Sequence, residues 1–240
     1  MSWTLSIIEV GVIPAVPLAA HVPGAPPGEL ISPPCYCYVV VDGSKIVVVD
    51  TGADAPSAFA AGLGIEGDTR FLLDQGLRAC DITPGDVTLI VHTHLHYDHV
   101  GNDLRFSNAE VVVQRSELSW AVGPKAGGYY VETAALLDAL GPRVRPVEGE
   151  VELLRGLRVI WTGGHTPGHQ SVVLSRPSGD VCICGDVVPL HVNTEVVGSS
   201  CPWTDDAERF LATARQAKWE MIPSHDPALR LHPSYVAPHP

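Results

Sequence analysis

The residues with the greatest chemical potential lie in the segment 92–99, His-Thr-His-Leu-His-Tyr-Asp-His. Within it, His94, His96, Asp98 and His99 offer three imidazoles and one carboxylate. Such a group is costly to desolvate, and its imidazoles repel one another once protonated, unless a cation neutralises and orders them. A solvated loop rich in histidine is the alternative, but HxHxDH spacing is specific to metal ligands. The segment therefore predicts a divalent-metal site.

An apolar run positions this cluster. Residues 87–91, Val-Thr-Leu-Ile-Val, are mostly β-branched and predict a buried strand that ends where the histidines begin. Because side chains alternate along an extended chain, His94 and His96 are expected to project to the same side. Asp98 and His99 follow as the chain turns.

Three further strand ends carry ligand-type residues. His165 and His169 follow one predicted strand, Asp186 follows another, and His225 follows a third. Several neighbouring residues are glycines, which let the backbone bend tightly. One such coincidence would mean little, but with the central cluster the three strand ends predict a two-metal site.

These motifs resemble the signature of the metallo-β-lactamase superfamily of hydrolases. The resemblance implies an α/β (α+β) fold, a four-layered αββα sandwich in which two mixed sheets pack face to face with helices outside and the site at one edge. The length of 240 residues suits one metallo-hydrolase domain spanning residues 1–240.

The resemblance also divides the ligands between two metal ions. In the superfamily three histidines hold one ion, a carboxylate and two histidines hold the other, and a second carboxylate bridges both. The matching residues are His94, His96 and His165 for the first ion, Asp98, His99 and His225 for the second, and Asp186 for the bridge. The family pattern uses the first histidine of His165-Thr-Pro-Gly-His169, so His169 is expected beside the ligands rather than among them.

The ligand types indicate the chemistry. Histidine and carboxylate donors favour zinc and are compatible with iron, manganese or cobalt. Two such divalent ions lower the pKa of a bridging water to near neutrality, and the resulting hydroxide can attack a carbonyl or phosphoryl centre. Asp98 is predicted to be catalytic as well as a ligand, since its carboxylate can carry a proton to the leaving group. Asp50, which ends the predicted strand 45–50, either caps the next turn or holds a metal-bound histidine by its free ring nitrogen.

Within the superfamily, the sequence most resembles the N-acyl homoserine lactone lactonases. The resemblance covers most of the chain, in the motifs at residues 37–38, 49–52, 94–99, 113–117, 165–171 and 224–226. It implies opening of an acyl homoserine lactone-like ring, the quorum-quenching reaction, or hydrolysis of a related ester.

One departure from those lactonases concerns the substrate carbonyl. They place a tyrosine three residues after the bridging aspartate, where its hydroxyl holds the scissile carbonyl, whereas this chain has Pro189. Candidates for a replacement donor in the substrate pocket are His21, Tyr129, Tyr130 and His191.

Competing functions use the same scaffold. An arylesterase, phosphotriesterase or thioesterase would need the same nucleophile and stays an alternative. A β-lactamase of the dizinc type would usually carry cysteine or serine in place of Asp186, and a non-catalytic binding module would be expected to lose ligands, which this chain retains.

The charge balance restricts the partners. With 27 acidic and 15 basic residues, the formal charge is -12, which disfavours nucleic acid and anionic membranes and favours a small-molecule substrate. No apolar run approaches the length of a membrane span, and the N-terminus lacks a signal-peptide pattern, so the cytoplasm is the expected location. A homodimer is left open.

Two other features complete the predictions. Residues 11–34 contain seven prolines and include His21, and such a loop is typical of a lid or binding wall. The pairs Cys35/Cys37 and Cys182/Cys184 could supply soft-metal ligands or a redox pair. The favoured interpretation is reduced core cysteines, because free cysteine behaves as a small hydrophobe.

Overall fold

Two β-sheets make up the centre of the molecule in a computed structural model that describes residues 3–60, 62–131, 133–231 and 234–235. In chain order the strands are β1 Thr4–Val12, β2 Val16–Pro17, β3 Leu30–Ile31, β4 Pro34–Asp42, β5 Lys45–Val49, β6 Leu89–Val91, β7 Glu110–Gln114, β8 Val144–Val147, β9 Val151–Leu154, β10 Leu157–Trp161, β11 Gln170–Leu174, β12 Val181–Ile183, β13 Glu220–Ile222 and β14 Ser234–Tyr235. The larger sheet has the order β14-β1-β4-β5-β6-β7-β8 and the smaller β13-β12-β11-β10-β9.

The two sheets pack face to face through their alternating apolar residues. Tyr38 and Val40 of β4 belong to the same buried cluster as Val159 of β10 and Val172 of β11. Because successive side chains of a strand point to opposite faces, the other half of each strand is left for the outer layers.

Helices cover both outer faces. They are α1 Ala55–Ala60, α2 Thr69–Ala79, α3 Tyr97–Val100, α4 Arg115–Ala121, α5 Thr133–Leu140 and α6 Thr204–Gln216. Leu73 and Leu77 of α2 pack with Val39 on the larger sheet, and Phe210 of α6 packs with Val173 on the smaller. The predicted αββα sandwich with two mixed sheets is therefore confirmed. None of the helices in the described part of the chain is long and apolar enough to cross a membrane.

The parallel strands bring several strand ends to one edge of the two sheets. Strands β5, β6 and β7 are parallel, so their carboxyl ends lie side by side. Strands β12 and β13 are parallel in the other sheet. Tyr38, on β4, donates its buried hydroxyl to the carbonyl of Pro223 at 2.9 Å, and this bond joins the larger sheet to the chain just beyond β13.

The proline-rich segment 11–34 is more regular than the loop that the sequence predicted. Strand β1 continues to Val12, β2 and β3 pair as a small antiparallel ladder, and β4 begins at Pro34. Proline is acceptable as the first residue of a strand, which explains how β4 starts inside a segment that the proline content marked as loop. The role of the segment as a lid stays a prediction.

Candidate metal centre

The histidine segment leaves β6 in extended form and then turns into a helix. His96 has extended backbone angles, and α3 begins at the next residue, carrying Asp98 and His99 as the sequence predicted. The rings of His94 and His96 lie 4.4 Å apart between centroids. The imidazoles of His94 and His99 and the carboxylate of Asp98 are buried.

The structure brings all seven predicted ligands together. Their donor atoms form three groups, each with all its atoms within 4.8 Å of one another. The groups are His94, His96 and His165; His94, His99 and Asp186; and Asp98, His225 and Cys35. For Cys35 the sequence favoured a place in the apolar core over soft-metal ligation, yet its sulfur lies beside these ligands.

Asp186 divides its two carboxylate oxygens between two sets of histidines. Oδ1 lies 3.1 Å from Nε2 of His225 and 3.3 Å from Nε2 of His99. Oδ2 lies 3.5 Å from Nε2 of His165 and 3.9 Å from Nε2 of His94. His225 Nε2 also lies 3.3 Å from Oδ2. One carboxylate thus faces both halves of the cluster, as a bridging ligand must.

Hydrogen-bond acceptors at Nδ1 orient several of the histidine rings. Nδ1 of His165 donates to the carbonyl oxygen of Ser200 at 2.8 Å, and Nδ1 of His225 donates to that of Pro34 at 2.8 Å. A carbonyl oxygen only accepts, so Nδ1 carries the proton in both rings and Nε2 keeps its lone pair for a metal ion. Asp50 Oδ2 lies 2.8 Å from Nδ1 of His99 and orients that ring similarly.

Buried atoms without hydrogen bonds face the centre of the cluster. They include Nε2 of His94, Nε2 of His99 and Oδ1 of Asp186. An unsatisfied buried polar atom costs about 1–3 kcal/mol, and a divalent cation would satisfy several at once. The donor set of imidazoles and carboxylates fits such cations, so the residues present suit a pair of divalent metal ions.

Burial and neighbouring charges shift the pKa values of the clustered side chains in different directions. Burial, together with the charge of the nearby His165, lowers the pKa of His96 to about 3. Burial alone would raise the pKa of Asp186, but the charges of His225 and His99 outweigh burial and hold it well below its usual range. Without a metal ion, the ionised Asp186 is thus paired with the cationic His99 and His225, whose pKa values its charge helps to raise, and a bound metal ion would displace their protons.

Asp50 supports the ligand segment at two points. Besides His99, it accepts the backbone N–H of Thr93 through Oδ1 at 2.8 Å and the hydroxyl of Thr93 through Oδ2 at 2.8 Å. His92, also buried, bonds Asp103 at 2.8 Å. Of the two roles considered for Asp50, the geometry matches the one that holds a ligand histidine by its free ring nitrogen.

A buried glutamate that sequence reasoning missed links two ligand segments. Glu117 accepts the backbone N–H of Leu95 at 3.0 Å and the hydroxyl of Tyr130 at 2.9 Å through Oε1, and the hydroxyl of Thr166 at 2.6 Å through Oε2. Leu95 stands between His94 and His96, and Thr166 follows His165. The sequence placed Glu117 only within the motif at residues 113–117, and its burial had no sequence signal because glutamate is mostly exposed unless it is paired.

His169 lies beside the ligands and outside the three donor groups. Its ring centroid is 5.4 Å from that of His94 and 6.1 Å from that of His165. Its Nδ1 is 2.6 Å from the hydroxyl oxygen of Thr162. His169 thus lies next to His94 and His165, and its role as a supporting residue stays a prediction.

Of the four pocket candidates, His21 is the one whose side-chain polar atoms are buried beside the histidine cluster without a hydrogen-bond partner. Its ring centroid lies 6.5 Å from that of His225, and both its ring nitrogens are buried without a hydrogen-bond partner. Its own carbonyl accepts from the side chain of Asn193 at 3.0 Å, which anchors this part of the proline-rich segment. Burial, with the nearby His225, lowers the pKa of His21 to about 4, so the ring is neutral.

The other three candidates are arranged differently. Tyr130 packs its ring 4.7 Å from that of His96, but its hydroxyl already donates to Glu117. Tyr129 is 57% exposed and lies 5.4 Å from the His96 ring. His191 turns its Nδ1 to the carboxylate of Asp226 at 2.8 Å, with half of its side chain exposed.

Comparison with known proteins agrees with this geometry. Residues 32–231 match the model of a family described as the metallo-beta-lactamase superfamily. A curated N-acyl homoserine lactonase from Bacillus sp is 29% identical over 204 residues, which cover 80% of this chain and 78% of that protein.

Solved structures share the fold. An N-acyl homoserine lactone hydrolase with the product N-hexanoyl-L-homoserine bound at its catalytic metal centre has a TM-score of 0.80 at 22% identity, covering 98% of this chain and 100% of that one. AidC, a dizinc quorum-quenching lactonase, has a TM-score of 0.74 at 20% identity, covering 94% and 88%. This chain is therefore similar over nearly its whole length to enzymes built around a metal centre.

Proposed function

The chain belongs to the metallo-beta-lactamase superfamily, and on that premise we propose that it is a dinuclear-metal hydrolase that opens a lactone of the acyl homoserine lactone type or cleaves a related ester. The observation that carries the proposal is the position of Asp186, whose Oδ1 lies 3.3 Å from His99 and whose Oδ2 lies 3.5 Å from His165. A site for one metal ion would not need a carboxylate shared in this way.

The ligands are assigned to two divalent ions, with zinc favoured. In this assignment His94, His96 and His165 would hold one ion, Asp98, His99 and His225 would hold the other, and Asp186 would serve both. When bound, the ions supply Lewis acidity and lower the pKa of bound water enough to give a nucleophile at neutral pH. AidC, described as a dizinc lactonase, supports the choice of zinc.

Asp98 is the proposed proton carrier. It is buried, and its Oδ2 lies 3.5 Å from His99 and 3.6 Å from His225. Burial would raise the pKa of Asp98, but the charges of these two histidines lower it, so the carboxylate is ionised and ready to accept a proton. Transfer of that proton to the ring oxygen that leaves would complete the cleavage of the ester bond.

His21 is the proposed donor to the substrate carbonyl. Pro189 has no hydroxyl, and the Tyr130 hydroxyl is already bonded to Glu117, whereas both His21 nitrogens are unbonded beside the cluster. A neutral imidazole N–H can donate to the carbonyl oxygen as negative charge develops there. The anchoring of His21 by Asn193 would hold this donor in place, with segment 11–34 acting as a wall or lid over the substrate.

The substrate class follows from the relatives and from the charge of the chain. The curated relative is named an N-acyl homoserine lactonase. An uncharged amide-bearing lactone also suits a protein with a formal charge of -12, which repels anionic substrates. Aryl esters, phosphotriesters and thioesters share the required electrophilic centre and serve as the comparison substrates.

A substrate panel tests the proposal. Zinc-loaded protein is assayed by proton release with acyl homoserine lactones, simple lactones, an aryl ester, a phosphotriester and a thioester. We expect the highest kcat/KM for an acyl homoserine lactone, about two metal ions per chain, and a large loss of turnover in Asp186→Ala. Fully loaded protein that hydrolyses only the aryl ester or phosphotriester would replace the lactonase assignment. Unchanged turnover in Asp186→Ala would refute the shared carboxylate.

A further inference from the structure

Cys35 lies within the metal cluster although the sequence analysis treated it as a core residue. Its Sγ, a carboxylate oxygen of Asp98 and a ring nitrogen of His225 are all within 4.8 Å of one another, and all three residues are buried. Of the six cysteines, Cys35 is the one that shares such a group with proposed metal ligands. Thiolate sulfur is among the strongest protein ligands for zinc.

A hydrogen bond joins His225 to the start of β4, the strand that carries Cys35. The carbonyl of Pro34, the preceding residue, accepts the Nδ1 proton of His225 at 2.8 Å. That bond turns Nε2 of His225 toward the cluster and fixes it against the strand that carries Cys35. The thiol is therefore held on the side of the site that Asp98 and His225 define.

A bulge accompanies this placement. In the pairing of β1 with β4, Glu9 is opposite Tyr36 and Gly11 is opposite Cys35, so Val10 is an extra residue on β1. Bulges locally bend a strand and re-aim side chains, and they are common next to active sites. Here the bulge is on β1, directly across from the step between Cys35 and Tyr36 on β4.

Two buried atoms near Asp98 and His225 have no hydrogen-bond partner, which favours a cation at this side of the cluster. Nε2 of His99 and Oδ1 of Asp186 are buried and make no hydrogen bond, although they lie 3.3 Å apart. His99 is in turn 3.5 Å from Asp98, which belongs to the Cys35 group. A cation among these atoms would have the Cys35 sulfur among its neighbours.

We propose that Cys35 is a further ligand of the metal ion held by Asp98, His99 and His225. On binding, the S–H bond breaks, its proton passes to solvent, and the sulfur electron pair forms the bond to the cation. The Cys35 assignment rests on the dinuclear centre proposed above, and it makes the two metal sites chemically different. The position of His94, His96 and His165 offers nitrogen, whereas the position of Cys35 adds soft sulfur, which selects zinc, cobalt or cadmium over magnesium or manganese.

Cobalt substitution gives a readout that does not depend on turnover. Protein freed of metal by a chelator is titrated with Co²⁺ while the near-ultraviolet absorption is recorded, because a thiolate bound to Co²⁺ produces an intense charge-transfer band that nitrogen and oxygen ligands do not. The same titration is made with Cys35→Val and Cys35→Ser. Cys37→Val is the matched control, since Cys37 is also fully buried on β4, on the same face, but shares no donor group with the ligands.

We expect the band in the wild type and in Cys37→Val, and its loss in both Cys35 variants. The affinity for the second cation should fall by at least about 10-fold in the Cys35 variants. A wild-type protein that binds two Co²⁺ ions without the band overturns the proposal, as does a band that persists in Cys35→Val. Circular dichroism of the metal-free variants checks that they fold.

Zinc X-ray absorption of the wild type decides the matter even if the Cys35 variants do not fold. A sulfur atom in the zinc coordination shell supports the proposal, and a shell of nitrogen and oxygen alone overturns it. Lactone turnover is measured on the same samples. Protein with sulfur-bound zinc and no lactone turnover would contradict the proposed substrate while leaving the Cys35 assignment intact, and active protein without sulfur would do the reverse.

Discussion

Asp50 Oδ2 lies 2.8 Å from Nδ1 of His99, and the other carboxylate oxygen of Asp50 accepts the backbone N–H of Thr93. Asp50 occupies the left-handed region with φ of 54°, a conformation that is uncommon outside glycine but tolerated by aspartate. Strand β5 is therefore followed directly by a residue in an uncommon conformation, and its carboxylate fixes two points of the histidine segment. Such a conformation persists where surrounding bonds over-determine it.

Replacing Asp50 with asparagine should weaken metal binding without unfolding the protein. The amide keeps an oxygen for Thr93 but turns an N–H donor toward His99, which then has to accept at Nδ1 and carry its proton on Nε2, where the metal ion binds. We expect the affinity for the second cation to fall by about 10–100-fold in Asp50→Asn. Competition with a chromophoric chelator measures it, and Asp138→Asn, an exposed change on α5, is the control. Equal affinities in the two variants would show that Asp50 does not orient His99.

Glu117 should make stability fall as pH rises. Burial raises the pKa of Glu117 despite the hydrogen bonds from Thr166, Leu95 and Tyr130. The unfolded chain therefore releases this proton first, and the free energy of unfolding decreases as pH rises from the unfolded-state pKa, about 4.3, toward the folded-state value. Glu117→Gln cannot ionise, so we expect its stability relative to the wild type to increase across that window. Urea unfolding of metal-free protein at several pH values measures the difference, and parallel stability curves would contradict the prediction.

Comparing Glu117→Ala with Glu117→Gln separates the effect of the Glu117 charge on stability from the effect of its hydrogen bonds. Glu117→Ala leaves the N–H of Leu95 and the hydroxyl of Thr166 without their acceptor, each at a cost of about 1–3 kcal/mol. We therefore expect Glu117→Ala to be clearly less stable than Glu117→Gln at neutral pH. A similar midpoint for the two variants in urea would mean that water replaces the carboxylate and that the two ligand segments do not need this link.

The sequence predicted which side chains meet in the histidine and carboxylate cluster because much of that information is local. HxHxDH spacing follows directly from the chain, and apolar runs before Asp186 and His225 predict strands whose ends can meet at one edge. The αββα layers came from the resemblance, and the structure confirms them through the packing of α2 and α6 on opposite outer faces.

What could not be predicted depends on contacts between distant segments. Cys35 and His225 are 190 positions apart in the chain, and only the packing of β4 against the end of β13 brings them together. The acceptor for His165 is a backbone carbonyl, that of Ser200, which leaves no residue signature. Glutamate on a helix is usually exposed. Glu117 is buried because Leu95 and Thr166, which are distant in sequence, pack against it.

Two tyrosine hydroxyls on β4 should stabilise the segment that carries His225. Tyr38 donates to the carbonyl of Pro223 at 2.9 Å and Tyr36 to that of Asp226 at 3.0 Å, on either side of His225. We expect Tyr38→Phe and Tyr36→Phe each to lower the free energy of unfolding by about 1 kcal/mol, since each removes one hydrogen bond while keeping the ring. Tyr129→Phe, whose side chain is largely exposed, is the control and should change stability little. Denaturant unfolding of metal-free protein measures all three, and a control that loses as much as Tyr38→Phe would refute the assignment.

The position before Asp186 should accept only glycine. Gly185 has φ of +63°, and a Cβ there would lie 2.6 Å from Nε2 of His169 and 2.7 Å from Cβ of Thr93. The left-handed backbone costs an alanine about 1–2 kcal/mol, and overpacking adds about 1–3 kcal/mol. Relief of the overlap has to displace either His169 or Asp186 itself.

Gly185→Ala is therefore expected to lower both stability and the number of metal ions bound per chain. Gly179→Ala is the matched control, because Gly179 also has positive φ, at +121°, but an added Cβ there meets nothing within 4 Å. The control should lose stability through backbone strain alone and keep its metal content, because it leaves the carboxylate of Asp186 where it is. Elemental analysis after dialysis, combined with urea unfolding, distinguishes the two effects. Full metal occupancy in Gly185→Ala would mean that the chain can move away from His169 without disturbing Asp186.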